Sequence, residues 1–339
     1  MERNVLVDKL KGYACFLVLF GHVIMGIRLA GIDIPKFFEG VEKFIWSFHI
    51  ALFMFLSGVV YKETGGWKRK KTRIKFIWYK LLSLGIPYVV FSVVYIAINS
   101  MVGQANTQSS MWDILDIWKT PVAQYWFLYA LFFLFLIWAL FSGLLNSWIL
   151  TLVVVAIGYV APLCGINLGS FDVVFYTALS FGIGTCVDFP KLLKPPTLVK
   201  YIVVVTHLVT GIVLVVVGKI EEPFIKEMMA LYGIYASIML ISLLQKSKTM
   251  SRFLGFVNRY SFQTYLLHTI FTAGVRIVFM RMNITWWWLH ILLGTVCGIA
   301  FSVLAAEIAK KIPFFNFFFF PTKASKYQFR IVKDHKKDK

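Results

Sequence analysis

Acidic residues are scarce in this chain: 16 Asp and Glu stand against 35 Lys and Arg in 339 residues, and only 15% of side chains are charged while 59% are hydrophobic. With a mean hydropathy of +0.75, this composition excludes a soluble globular domain. The net charge of +19 does not mark a nucleic-acid partner, because the basic residues sit in short loops between apolar runs and form no continuous surface of a folded domain. Cysteine is also sparse. Cys15, Cys164, Cys186 and Cys297 lie in or at the ends of apolar segments with no paired or CxxC spacing, so neither a disulfide framework nor a metal site is indicated. There is no internal repeat and no matched pair of Gly- or Pro-broken spans of the kind secondary transporters show. The N-terminal stretch has no small-residue cleavage site and contains His22 and Arg28, so it is expected to stay in the mature protein. The loops expected outside are short, the longest being 101–122, so no extracytoplasmic domain is expected. The chemistry then belongs inside the bundle or at its edge.

What the chain has is apolar runs long enough to cross a hydrocarbon core about 30 Å thick, roughly 17 to 25 residues each. Ten can be placed, at approximately 7–30, 41–61, 76–100, 123–145, 147–164, 171–188, 199–218, 228–245, 260–280 and 286–309. The expected fold is all-α, a polytopic integral membrane bundle of about ten transmembrane helices within residues 1–312. The Phe-rich segment 313–321 is too short to cross and is expected to lie in the inner interface. A basic cytoplasmic tail, 322–339, follows and is drawn to anionic membrane lipid. Of the 35 Lys and Arg, 27 fall at the N-terminus, in loops after even-numbered spans or in the tail. The positive-inside rule then puts both termini in the cytoplasm, with the protein in the plasma membrane. Trp112, Trp118, Trp126 and the triplet Trp286–Trp288 mark the outer boundary as an aromatic belt.

The first run carries charge at one end and a histidine deep inside. Lys11 and His22 are eleven residues apart, about 16 Å along a helix and about 20° from eclipsed, and Asp8 lies within about 40° of the same line. An ionisable side chain in a span is costly unless it faces the bundle interior or water. His22 therefore reads either as a functional group or as a packing histidine hydrogen-bonded to a neighbouring helix. His49 in the second run is expected at the same depth, about 9 Å beneath the outer boundary, where the two imidazoles can meet. His268 lies midway along the ninth run between Arg259 and Arg276 and reads as a structural polar contact. His207 and His290 have no evident partner. The loop WKRKKTRIKFIWYK, starting at Trp67, is the densest basic cluster outside the tail. It reads either as a positive-inside anchor or as a mouth for a polyanionic ligand, with Arg69, Arg73 and Lys80 holding phosphates near Lys11.

With these residues in view, the chain resembles the membrane-bound acyltransferase 3 family over nearly its whole length. The start Asp8-Lys9-Leu10-Lys11-Gly12 followed by His22 is similar to that family's first-helix pattern of a basic residue, ten residues and a histidine. SFHIALFMFLSGVVY from Ser47 resembles its second-helix segment, YWFLYALFF from Tyr125 a fourth-span segment, and NRYSFQTYLLHTIF from Asn258 a late segment ending in Tyr-Leu-Leu-His. The resemblance implies transfer of acetyl, less often other acyl groups, from cytoplasmic acyl-coenzyme A to hydroxyls of cell-surface glycans or their lipid-linked precursors. It also implies that His22 is the catalytic residue and that Lys11 and the Arg69–Arg73 loop serve the donor. The family's basic residue is usually arginine. Lys11 gives up the bidentate fork that grips phosphate. The chain also lacks the extracytoplasmic hydrolase-like domain fused to some relatives, so a stand-alone form is expected.

Acyl transfer to a hydroxyl needs a base, a hold on the thioester and donors for the developing oxyanion. Imidazole supplies the base. The nucleotide end of acetyl-CoA is expected by Lys11, Arg69, Arg73 and Lys80, with the pantetheine arm running up the first helix to His22. There His22 acts as general base or itself carries the acyl group. His49, Trp126 and Ser57 are the candidate oxyanion donors, and no permanently bound cofactor is called for. The competing class is a transporter or flippase for a lipid-linked or polyanionic substrate. The near absence of acids in the spans, Glu307 being the clearest, argues against it.

Overall fold

The side chain of Asn4 accepts from the Val7 amide at 3.3 Å and caps a helix, α1, that runs unbroken over Val5–Leu29. In the computed structural model, which describes residues 4–65, 70–101 and 110–320, α1 packs against six other helices. The second run divides. α2 (Lys36–Trp46) and α3 (His49–Thr64) meet at Ser47–Phe48. α4 (Lys70–Lys80) passes through a π-helical turn, Leu81–Gly85, into α5 (Ile86–Met101). Pro87 accounts for the turn: its ring has no N–H and crowds the carbonyl four residues back, so the ladder slips by one residue instead of breaking.

After short 3₁₀ turns at Met111–Asp116 and Ala123–Tyr125 come α6 (Trp126–Phe141), α7 (Ser147–Leu163), α8 (Asp172–Cys186), α9 (Thr197–Val216) and α10 (Pro223–Leu244). α11 (Lys248–Arg259), α12 (Ser261–Arg281), α13 (Trp287–Lys311) and α14 (Pro313–Phe319) complete the described chain. α3 and α8 meet backbone to backbone. A Cβ built on Gly58 would stand 2.1 Å from the Phe181 carbonyl oxygen, and one on Gly184 2.2 Å from that of Phe55. Small residues permit this approach, which drives helix association where lipid offers no hydrophobic gain.

The chain is an all-α polytopic membrane bundle. Among the described residues, seven helical stretches are long and apolar enough to cross: 5–29, 36–64, 73–101, 123–141, 197–216, 223–244 and 287–311. The three other expected spans are helical as well, but α7 and α8 are shorter and α12 is interrupted by polar side chains. Length and composition thus make seven of the ten candidate spans. α11 was expected as loop. It is an amphipathic helix with Leu254 and Val257 buried against the bundle and Arg252 and Arg259 exposed. The Phe-rich α14 docks on the bundle through Phe319, 5.1 Å from the Phe91 ring, and through its carbonyl, which accepts from Gln263 Nε2 at 3.2 Å. The tail 322–339 lies outside the described residues.

Candidate functional site: a histidine-lined cavity

His22 lies 17 residues into α1, toward its C-terminal end, half-buried. Two rings flank it: Trp46 edge-on at 5.0 Å between centroids, and His268 of α12, also at 5.0 Å. His268 is fully buried, and its Nδ1 lies 2.9 Å from the carbonyl oxygens of both Thr264 and Tyr265. Carbonyls only accept, so Nδ1 carries the proton and Nε2 keeps a lone pair. That Nε2 is buried with no hydrogen-bond partner, an arrangement that costs free energy unless something uses it.

His49 does not meet His22. Trp46 stands between them, 4.6 Å from the His49 ring. His49 donates Nδ1–H to the Ile45 carbonyl at 2.8 Å, and its Nε2 is buried and unpartnered behind the indole. Ser57 donates to the Phe53 carbonyl of its own helix at 2.9 Å and lies outside the cavity lining. Trp126, the first residue of α6, is part of that lining.

The cavity itself, about 490 Å³, is bounded by His22, Gly26 and Leu29 of α1, Trp46, Tyr95 and Asn99 of α5, Gln124, Trp126, and Tyr265 and Arg276 of α12. Its lining reaches Leu29 at the end of α1 and Asn99 near the end of α5. Hydrogen bonds fix its wall. Tyr265 donates its hydroxyl to the Gln124 carbonyl, Gln124 Nε2 donates to Thr269 Oγ1 at 2.6 Å, and Tyr125 donates to the Leu266 carbonyl at 2.7 Å. They hold Ala123 at φ +43°, a left-handed conformation that a non-glycine residue keeps only when its surroundings impose it. Above the cavity, Arg28 grips the buried Glu42 in a bidentate pair, Nε to Oε2 at 3.0 Å and Nη2 to Oε1 at 2.9 Å, joining the end of α1 to α2.

The basic candidates gather at the opposite end of α1. Lys11 is an electrostatic neighbour of Lys80, whose ammonium sits 3.5 Å from the centre of the Phe135 ring. Arg73 packs over Gly143 and acts on Tyr61, itself against Phe76 and Phe135. Asp8 is in the first turn of α1. Arg69 lies outside the described residues.

Trp46 and Gln124 are absent from the sequence reading, and Arg276, read there only as a charge at the end of the ninth run, lines the cavity as well. His268, expected as a packing residue, is the imidazole beside His22. His290 of α13 donates from Nε2 to the Ile284 carbonyl at 2.8 Å and shares a small cleft with His22 and Arg276. One signal was available. His268, Thr272 and Arg276 recur at i, i+4 and i+8, a polar stripe down one face of an otherwise apolar helix, and all three are buried.

Fold and cavity define a class: an all-helical integral membrane protein with paired imidazoles at an internal cavity and a basic cluster at the other end of the same helix. The profile of the acyltransferase 3 family, described as an acyltransferase domain, matches residues 4–307, and the chain belongs to that family. Among curated proteins it is similar to Nodulation protein NolL of Sinorhizobium fredii, 27% identical over 185 residues, covering 54% of this chain and 48% of that protein. It is also similar to Nodulation protein NolL of Mesorhizobium japonicum, 26% identical over 165 residues, 48% and 42% of the two chains. The chain thus spans about half the length of the curated relatives it matches. No solved structure matches.

Proposed function

We propose that this protein is a membrane-bound O-acyltransferase that moves an acetyl or similar short acyl group from cytoplasmic acyl-CoA to a hydroxyl of a cell-surface glycan or its lipid-linked precursor. On this reading the bundle crosses the plasma membrane ten times with both termini in the cytoplasm, as the distribution of basic residues favours. The observation that carries it is the division of α1: Lys11 among Lys80 and Arg73 at one end, His22 against the cavity at the other. The nucleotide of the donor sits at the basic end and its thioester reaches His22, about 16 Å further along the helix.

In this mechanism the acceptor hydroxyl enters the cavity and gives its proton to the His22 imidazole as its oxygen attacks the thioester carbonyl. The tetrahedral intermediate collapses, the carbon–sulfur bond breaks, and the thiolate leaves with the proton from the imidazolium. His268, held by two carbonyls with its Nε2 lone pair free beside the His22 ring, is the group that would accept a proton from the second ring nitrogen as His22 becomes imidazolium. Trp126, at the cavity wall, is a donor for the oxyanion. The test is thiol release by purified protein in detergent with acetyl-CoA and mixed glycans, followed by mass spectrometry of the glycans. Acyl-dependent thiol release with a mass gain on saccharide is expected. Movement of a lipid-linked substrate without thiol release would establish a flippase instead.

A further inference from the structure

Arg276 is an unusual residue for its place. It lies on α12, itself packed inside the bundle, is 9% exposed, and lines the cavity that His22 lines. Its guanidinium rests on α1: a Cβ on Gly26 would stand 2.4 Å from Nη1, so this position must be glycine for the group to lie there. Asn99 of α5 lines the same cavity, and its buried Nδ2 has no hydrogen-bond partner. A cation and an amide donor therefore line the same cavity. A charged side chain within a span is costly and marks a ligand path, and a guanidinium is the group that binds carboxylate or phosphate in a bidentate fork.

Gly26 is one turn beyond His22, about 6 Å further along α1. That rise is a step along α1 to the side of the reacting centre at His22. It suits a substituent one sugar ring away from the reacting hydroxyl. Resting on the acyltransferase reading for the role of His22, we infer that the acceptor is anionic, a saccharide whose carboxylate or phosphate is held by Arg276 and Asn99 while a neighbouring hydroxyl is presented to His22.

The test is binding, measured without acyl-CoA, so that it stands apart from turnover. The full chain in phosphatidylcholine nanodiscs is titrated with methyl glucuronide, glucose 6-phosphate and the neutral methyl glucoside, following fluorescence of the cavity residues Trp46 and Trp126. The charged sugars are expected to bind at least ten-fold more tightly than the neutral one. R276Q is expected to reduce that preference to less than three-fold, while R276K keeps most of it. Gly26→Ala, which displaces the guanidinium without removing it, is expected to act like R276Q and serves if R276Q does not fold. Equal affinity for charged and neutral sugars, or a preference that survives both R276Q and Gly26→Ala, overturns the inference. Nanodiscs containing phosphatidylglycerol form a third arm: if that lipid alone gives the fluorescence change and abolishes sugar binding, the site holds a lipid phosphate and the inference is again overturned. Binding of anionic sugar without thiol release would count against the acyltransferase reading alone.

Discussion

His22→Ala removes an imidazole that forms part of the cavity wall and touches Trp46 and His268. Because the side chain is half-buried and borders existing empty space, its loss enlarges the cavity without opening a void in a packed core. The expected stability cost is about 1 kcal/mol, below the usual range for a buried truncation. The kinetic cost is another matter. A positioned base contributes about 10² to 10⁴ in rate, which is about 2.7 to 5.5 kcal/mol of barrier. Donor binding should be unchanged, since Lys11, Arg73 and Lys80 lie at the other end of α1. The assay is single-turnover acyl transfer in proteoliposomes, with donor binding and thermal stability measured on the same preparation. His49→Ala, behind the Trp46 ring, is expected to lose less than about ten-fold. Turnover within a factor of three of wild type for His22→Ala, in correctly inserted protein, would make His22 a packing residue and refute the mechanism.

If the basic end of α1 holds the donor phosphates, Lys11→Gln and Arg73→Gln raise the apparent KM for acyl-CoA several-fold with little change in kcat, and added salt weakens the wild type in the same way. Lys11→Arg keeps or improves donor use, and unchanged donor dependence in both Gln variants would remove the site. Gly58→Ala drives a Cβ into the Phe181 carbonyl and is expected to cost about 1–3 kcal/mol in thermal unfolding in detergent. Gly255→Ala, where no atom lies within 4 Å, is the neutral control, and equal melting of the two would contradict the close contact of α3 and α8. In a background free of native cysteine, cysteines at Ser110 and Ser247 are expected to react on opposite sides of the membrane with an impermeant maleimide. Labelling from the same side would collapse the ten-span reading.

Hydropathy is a one-dimensional property, so each apolar run of the sequence coincides with helix in the structure. Which helices meet is not one-dimensional. The helical spacing of Lys11 and His22 was readable because both lie on α1. The contact of His22 with His268 depends on how α1 crosses α12, 246 residues later. Equal depth brought His22 and His49 together on paper, but depth leaves rotation free, and Trp46 fills the space between them. α11 escaped notice because its two buried residues, Leu254 and Val257, are too few to register as an apolar run among lysines and arginines. The π-helical turn was signalled by Pro87, but whether a proline breaks, bends or shifts a helix is decided by what packs around it.

The two ends of α1 give the proposed reaction a direction. A proton leaves the acceptor hydroxyl in the cavity at one end, and the coenzyme A thiol that carries it away departs at the other. Each turnover is then vectorial, moving a proton along part of the membrane's thickness as well as making an ester. A full crossing by one charge corresponds to about 2.3 kcal/mol per 100 mV, so even a partial crossing couples the rate to voltage. Proteoliposomes clamped with a potassium gradient and valinomycin should acylate faster when the side bearing Lys11 is negative. A cell whose membrane is depolarised would then modify its surface more slowly, with the enzyme and both of its substrates unchanged.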